Sequence, residues 1–304
     1  AVHAVPDRLR DGYGPNIAAF RALADAGARV ILCVDCGSAA PEPIPSVADR
    51  ADVLVLDHHR IDRAPPAARA HVNPALDPAG ALAHLCAAGL AFLAAVATNR
   101  ALREAGWPRA LDAGALLSLV DLVALATVAD VVPLVGVNRA FVAQGLALMA
   151  ARPCAGIAAL LRVAGITRPP DAETLGFALA PRLNAAGRIG DADLGVRVLL
   201  TDDATEAAAL PQRPGPLNRE RQRIEAGVLE ATLAEAERQV RDGRPVILVA
   251  GEGWHPGVVG IVAGRMKERF NRPACVAGLA DGLAKGSGRS VPGVDLGAAG
   301  IAAR

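Results

Sequence analysis

Three short apolar runs along the chain predict buried β-strands. They are Arg29–Val34, Val53–Leu56 and Pro245–Ala250, each rich in β-branched residues and bounded by polar or turn residues. Continuous apolar runs of this length are typical of parallel strands that are covered on both faces. The pattern therefore predicts parallel sheet in two separate parts of the chain.

Helical periodicity surrounds these strands. Residues 138–210 are mostly helical in pattern, and the Ala-rich stretch Ala81–Thr98, which contains His84, is interpreted as a buried helix rather than a membrane span. Strands that alternate with helices predict the α/β class. Four further segments have helical spacing: Ile17–Ala28, Leu111–Ala126, Leu217–Val240 and Gly257–Phe270.

A proline-rich stretch, Pro211–Pro216, marks the predicted boundary between two domains. Prolines 214 and 216 lack the backbone donor that a helix interior needs, so we expect this stretch to interrupt helical structure. We predict a first domain over residues 1–212 and a smaller α/β domain over residues 244–304. Residues 213–243 connect them, with a helix over Leu217–Val240.

Carboxylates and imidazoles follow the predicted strands directly. Asp35 ends the first run, Asp57-His58-His59 ends the second, and Asp130 interrupts the apolar segment Ala126–Pro133. Strand ends in open α/β sheets face the ligand crevice, and Asp with His suits an ion such as Mn²⁺ or Mg²⁺. A lone Asp is more often a cap, and a lone His a core residue. Three acids with a His pair favour a metal site.

Cys33 and Cys36 form a C-x-x-C pair. Residues three apart in a strand face opposite sides, so we expect the two thiols to diverge and to serve in packing. The total of five cysteines forms no disulfide framework and fits a reduced, cytoplasmic protein.

Composition narrows the function classes. The chain has 304 residues, is 52% hydrophobic and carries a net charge of +1, which excludes disorder and argues against coating nucleic acid through bulk charge. Residues 1–212 hold 18 basic and 21 acidic residues, whereas residues 213–304 hold 14 and 10. This balance is compatible with local arginine contacts to an anionic ligand.

The motifs together resemble a known family. Asp35 in VDCG, Asp57-His58-His59, and Asp130 in ATVADVVPL are similar to successive motifs of the DHH phosphoesterase superfamily. Later segments, and the opening Pro6–Gly14, resemble the RecJ-type single-stranded-DNA exonucleases within it. The later segments are Pro181–Arg188 (PRLNAAGR), Leu217–Gln222 (LNRERQ), Trp254–Ile261 (WHPGVVGI) and Lys285–Ser290 (KGSGRS).

The resemblance implies a fold and a metal centre. The fold would be α/β, with a DHH-type parallel-sheet domain joined by a long helix to a smaller DHHA1-type domain. Asp35 would bridge two Mn²⁺ or Mg²⁺ ions, with His58 and Asp130 as further ligands. His59 would lie beside the scissile phosphate, and Asp57 would orient the imidazoles.

The resemblance also implies a substrate and partners. The substrate would be single-stranded DNA, degraded from its 5′ end in DNA repair and recombination alongside a helicase and a single-strand-binding protein. Arg8 and Tyr13 would lie near the entering strand, and Arg188, Ser287 and Arg289 would hold the terminal phosphate. From the residues alone, Arg188 could equally close a helix end.

Two family motifs are absent from these residues. An acidic D-x-D motif would precede Ala1, and a GGH motif would follow the region Gly293–Ala303. We therefore expect a fragment whose second metal site is incomplete and whose own nuclease activity is weak or absent. Two other functions stay open. One is a DHH phosphoesterase acting on pyrophosphate or cyclic dinucleotides, and the other is a non-catalytic DNA-binding scaffold.

Overall fold

The computed structural model describes residues 2–7, 11, 14–40, 42–61, 64–112, 114–151, 153–189, 192–201, 203 and 214–302. The chain divides into two compact units. The first comprises Ala1–Asn184 and Asp191–Gly215, and the second comprises Ala185–Gly190 and Pro216–Arg304. This division lies three residues beyond the one predicted after residue 212.

The first unit contains a three-stranded parallel sheet. Its order is β1 (Val30–Val34), β2 (Asp52–Leu56) and β3 (Ala70–Val72). Val34 pairs with Leu56, and Leu56 pairs with Val72, so the strands end in register. The backbone N–H of Asp35 donates to Leu56 and that of Asp57 to Val72. Asp35, Asp57 and Asn73 therefore form one row at the carboxyl edge of the sheet.

One face of this sheet forms a core with helix α1 (Ile17–Asp25). Ile31, Cys33, Val53 and Val55 point into it because side chains alternate along a strand. The other side chains of β1 (Val30, Leu32 and Val34) are 41–56% exposed. The prediction that this strand is covered on both faces is therefore wrong for the described residues.

The rest of the first unit is helical. The helices are α2 (Ala87–Glu104), α3 (Val120–Ala129), α4 (Gly136–Ala151), α5 (Ala155–Val163), a π-helix (Thr174–Leu179), α6 (Ala180–Ile189) and α7 (Leu194–Leu200). Residues 185–189 of α6 belong to the second unit. Asp130 is the C-cap residue of α3, and a 3₁₀ turn over Ala115–Leu119 replaces the first half of the helix expected over Leu111–Ala126. α4 packs closely on α3, since a Cβ at Gly145 would lie 2.3 Å from the Cβ of Ala124.

None of the described helices is by itself long and apolar enough to cross a membrane. Within the described part of the chain, α4 and α5 together reach that length and composition, as a pair bent by 78°.

The second unit contains a mixed three-stranded sheet. β4 (Ile247–Glu252) runs parallel to β5 (Ala274–Ala280), and β6 (Leu283–Arg289) runs antiparallel to β5 after a two-residue Asp-Gly turn. Two helices, α8 (Pro214–Arg241) and α9 (Pro256–Phe270), form the core of this unit together with β4 and β5. A last helix, α10, spans Leu296–Ala302.

The long charged helix α8 begins earlier than expected. Its first residue is Pro214, so prolines 214 and 216 lie in its first turn. Backbone donors there have no partner within a helix, so the missing N–H groups cost little. The helix therefore starts three residues before the predicted Leu217, and the residues just before Pro214 lie outside the described ones.

The turn after β1 brings the two nearby cysteines together. Asp35 has a φ of 63° and Gly37 a φ of 109°, so the chain folds back after the strand instead of continuing its alternation. Cys36 then packs against the core that contains Cys33. A hydrogen bond between the thiols lowers the pKa of Cys36 and raises that of Cys33. The expectation that these side chains diverge is therefore wrong.

Replacing Gly37 by alanine should destabilise the protein more than replacing Gly27. Both have positive φ, so alanine is strained at either position by about 1–2 kcal/mol. A Cβ at position 37 would also lie 3.1 Å from Val55, whereas position 27 has open space. We expect Gly37→Ala to lower the free energy of unfolding by a further ~1–3 kcal/mol in urea titrations. Equal losses would contradict the close packing of this turn.

Candidate active site

Three donor groups predicted as metal ligands converge at the carboxyl edge of the first sheet. Nε2 of His58 lies 3.1 Å from Oδ1 of Asp35 and 3.3 Å from Oδ2 of Asp130. Asp35 follows β1, His58 follows β2, and Asp130 ends α3. The His58 ring is 16% exposed, whereas the Asp35 carboxylate is 59% exposed. His58 is therefore the buried member of the cluster, and Asp35 faces solvent.

Asp57 is the buried acceptor beneath this cluster. Its side chain is 2% exposed, and Oδ1 accepts a hydrogen bond from Nδ1 of His59 at 2.7 Å. Oδ1 also accepts the backbone N–H groups of His58 and His59, and Oδ2 accepts the N–H of Ser38. Asp57 thus orients the ring of His59 but contacts His58 through its backbone, while the His58 ring faces Asp35 and Asp130.

The two imidazoles lie side by side with different surroundings. Their centroids are 4.8 Å apart, and Nδ1 of His59 is 4.0 Å from Oδ1 of Asp35. The ligand atoms of Asp35, His58 and His59 fall within 4.8 Å of one another, as in a group that can hold a metal ion. Because Asp57 occupies Nδ1 of His59, the Nε2 nitrogen remains for another ligand.

Electrostatics differ among the acids. Burial alone would raise the pKa of Asp57, but hydrogen bonds from His59 and Ser38 lower it to about 2. Burial raises the pKa of Asp130, with His58 opposing that effect. A hydrogen bond to Asp35 raises the pKa of His58 against the effect of burial. Asp57 is therefore a permanent anion near neutral pH.

A cleft of about 310 Å³ opens beside these residues. Asp35 and Asp130 line it together with Asn184, Cys86 and alanines of α2 and α3. We did not predict Asn184 as a site residue, although it lies within the PRLNAAGR segment. Ser38 was also missed. Its position two residues after the Asp35-Cys36 pair, in a turn that follows a strand, was the available signal.

In the second unit, three residues predicted to hold phosphate meet the start of α9. Nη1 of Arg188 donates to the carbonyl of Gly257, and Nη1 of Arg289 donates to Oγ of Ser287 at 2.7 Å. A Cβ at Gly260 would lie 3.1 Å from both Ser287 and Arg289. Two guanidinium groups and a hydroxyl therefore lie along the first two turns of α9, and the two positive charges favour an anion there.

The other residues singled out in the sequence are Arg8, Tyr13 and those of the Trp254–Ile261 segment. Arg8 and Tyr13 lie outside the described residues. His255 caps α9 by accepting the N–H of Gly257, and Trp254 packs against the core of the second unit. This pair therefore begins a helix.

Residues 1–127 match the DHH family, N-terminal domain. The chain is similar to the single-stranded-DNA-specific exonuclease RecJ of Dickeya dadantii, at 43% identity, and of Escherichia coli K12, at 42%. Each comparison covers 96% of this chain and 52% of the relative. The chain thus spans about half the length of these curated relatives.

Solved structures give the same comparison. A crystal structure of exonuclease RecJ bound to manganese has a TM-score of 0.79 at 34% identity, over 97% of this chain and 71% of that one. The RecJ structure in complex with Mn²⁺ from Thermus thermophilus has a TM-score of 0.78 at 33% identity. This comparison covers 92% of this chain and 40% of the Thermus thermophilus chain.

Replacing Asp57 by asparagine should cost far more stability than replacing Asp35. Asparagine at position 57 removes a buried charge that accepts four N–H groups, so we expect a loss of about 3 kcal/mol in the free energy of unfolding. Asp35→Asn is the matched control. Its carboxylate is exposed, and asparagine tolerates the positive φ, so its change should stay within about 1 kcal/mol. Similar losses would contradict the anchoring role of Asp57.

Proposed function

The chain belongs to the DHH family and, within it, to the RecJ group, and from this premise we propose that it hydrolyses phosphodiester bonds of single-stranded DNA from the 5′ end. The observation that carries the proposal is the convergence of Asp35, His58 and Asp130 at one sheet edge. Nε2 of His58 lies 3.1 Å from Oδ1 of Asp35 and 3.3 Å from Oδ2 of Asp130. The similar proteins of Dickeya dadantii and Escherichia coli are named single-stranded-DNA-specific exonucleases.

The donor set fits a divalent ion. Neighbouring ligand atoms on an octahedral ion lie about 3 Å apart, and mixed carboxylate and imidazole donors suit Mn²⁺ or Mg²⁺. Asp35, His58 and Asp130 would hold the ion, and the exposed carboxylate of Asp35 leaves room for a second one. Bound ions would activate a water molecule and offset the negative charge that develops on the phosphate.

His59 would act on the substrate side of this centre. Asp57 holds the ring of His59 through Nδ1, so Nε2 on the opposite side of the ring points away from Asp57 and can contact a phosphate oxygen. The ring is 42% exposed, which gives a substrate access to it. Asp57 supports this arrangement because it stays ionised near neutral pH.

The second unit would hold the DNA end. Arg188, Ser287 and Arg289, together with the first turn of α9, can surround a terminal 5′-phosphate. Arginine suits this role through paired hydrogen bonds to phosphate oxygens, and the helix dipole adds favourable charge. Arg8 and Tyr13 would contact the strand that enters the site.

The biological setting completes the proposal. An enzyme of this kind would work in the cytoplasm during DNA repair and recombination, with a helicase and a single-strand-binding protein as partners.

Asp35→Ala and His58→Ala should each reduce Mn²⁺-dependent degradation of single-stranded DNA at least a hundredfold, since each removes a ligand worth several kcal/mol of transition-state stabilisation. The measurement uses 3′-labelled oligonucleotides and the full-length protein that carries these residues. Asp25→Ala, which removes an exposed carboxylate paired with Arg50, is the matched control and should keep its rate.

Two results would contradict this assignment. Unchanged rates in both variants would exclude the metal site. Cleavage of cyclic dinucleotides or pyrophosphate without cleavage of DNA would favour a small-molecule phosphoesterase instead.

Arg289→Ala should reduce the preference for 5′-phosphorylated over 5′-hydroxyl DNA. The variant lacks the guanidinium and its paired contacts to the terminal phosphate. We therefore expect the ratio of kcat/KM for phosphorylated over hydroxyl DNA to fall about tenfold, equivalent to ~1.4 kcal/mol. Arg238→Ala, which removes an exposed cation paired with Glu235, should retain the preference. An unchanged preference in Arg289→Ala would place the phosphate elsewhere.

A further inference from the structure

Asn73 is the third member of the polar row at the edge of the first sheet, after Asp35 and Asp57. It directly follows β3 and is 7% exposed. The sequence offers little to single it out, because β3 has only three residues. We propose that Asn73 is a positioning residue of the active site that holds His59 in register with the turn that carries Asp35. This inference rests on the function proposed above.

The side chain of Asn73 joins three segments. Its Nδ2 donates to Oγ of Ser38 and to the carbonyl of His59, each at 2.9 Å. Its Oδ1 accepts the N–H of Ala75 at 2.8 Å, which caps a short 3₁₀ helix. Both amide hydrogens are therefore used to connect the turn after β1 with the loop after β2.

Ser38 links Asn73 to the buried anion. Its backbone N–H donates to Oδ2 of Asp57, while its Oγ contacts both Asn73 and Nε2 of His71, the latter at 2.8 Å. His59 is consequently held at three points. Asp57 accepts its N–H and its ring Nδ1, and Asn73 donates to its carbonyl.

This arrangement separates positioning from metal binding. The hydrogen bonds of the Asn73 side chain run to Ser38, to Ala75 and to the backbone of His59, and not to the groups whose mutual distances define the proposed metal site. Loss of Asn73 should free the residue that faces the substrate and leave the ligand set in place. A role in stability alone would instead leave kcat unchanged in any variant that folds.

The test compares Asn73→Ala and Asn73→Asp with the control Asn99→Ala. Aspartate keeps the acceptor for Ala75 but places a buried charge against the His59 carbonyl, whereas alanine removes both donors and adds no charge. Circular dichroism identifies which of the two variants folds, and that variant carries the test. Asn99 makes a similar pair of backbone hydrogen bonds, to Leu111, in another part of the first unit. The side chain of Asn99 makes these hydrogen bonds to Leu111 and none to His59, so its loss should leave His59 in place.

In the full-length protein, we expect kcat on single-stranded DNA to fall 10–100-fold in both Asn73 variants. KM and the dissociation constant for Mn²⁺ should change less than about threefold, and Asn99→Ala should match the unmodified chain. Unchanged kcat in a folded Asn73→Asp variant would overturn the inference. A loss of Mn²⁺ affinity equal to the loss in kcat would also overturn it.

A second readout does not depend on nuclease activity. The chain has six histidines, so the ring N–H signals can be assigned by nitrogen-15 NMR of the 304 residues. The Nδ1 proton that His59 shares with Asp57 should exchange faster in Asn73→Asp and stay protected in Asn99→Ala. Equal protection of this proton in the unmodified chain, in Asn73→Asp and in Asn99→Ala would refute the positioning role. Absence of DNA cleavage by the unmodified full-length protein would refute the proposed function instead.

Discussion

The buried carboxylate of Asp57 is the interaction on which the first unit's site depends. It accepts hydrogen bonds from the turn after β1, from the backbone of the loop after β2 and from the ring of His59. Burial of a charge is costly unless hydrogen bonds replace the lost water. Here they more than compensate, since they lower the pKa to about 2. The anion thereby ties together loops that no regular ladder connects.

Parallel register and close helix packing supply the rest of the geometry. The strands end together, so Asp35, Asp57 and Asn73 lie in one row. Asp130 reaches the same place from the end of α3, and the absence of a side chain at Gly145 allows α4 to pack tightly against that helix. In the second unit, glycines of α9 likewise permit close contact with Arg188, Ser287 and Arg289.

Several elements were predictable because their signals are local. β1, β2 and β4 follow from apolar runs, and the ends of β1 and β2 identify Asp35 and Asp57. β3 was missed because three residues carry too little pattern, and with it Asn73. The contact between Cys33 and Cys36 was also missed, because it depends on a positive φ at Asp35 that breaks strand alternation. The exposed face of β1 could not be predicted, since burial depends on which elements pack there.

Local sequence pattern is enough to reveal which donor types follow the strands, and the order of motifs that identifies the family. Tertiary structure decided the distances. His58 and Asp130 lie 72 positions apart in the chain, yet their donor atoms are 3.3 Å apart. Periodicity reports only which face a residue occupies within its own element. Register, loop conformation and helix packing join different elements, so the tertiary fold alone brings His58 to Asp130, and Asn73 to His59.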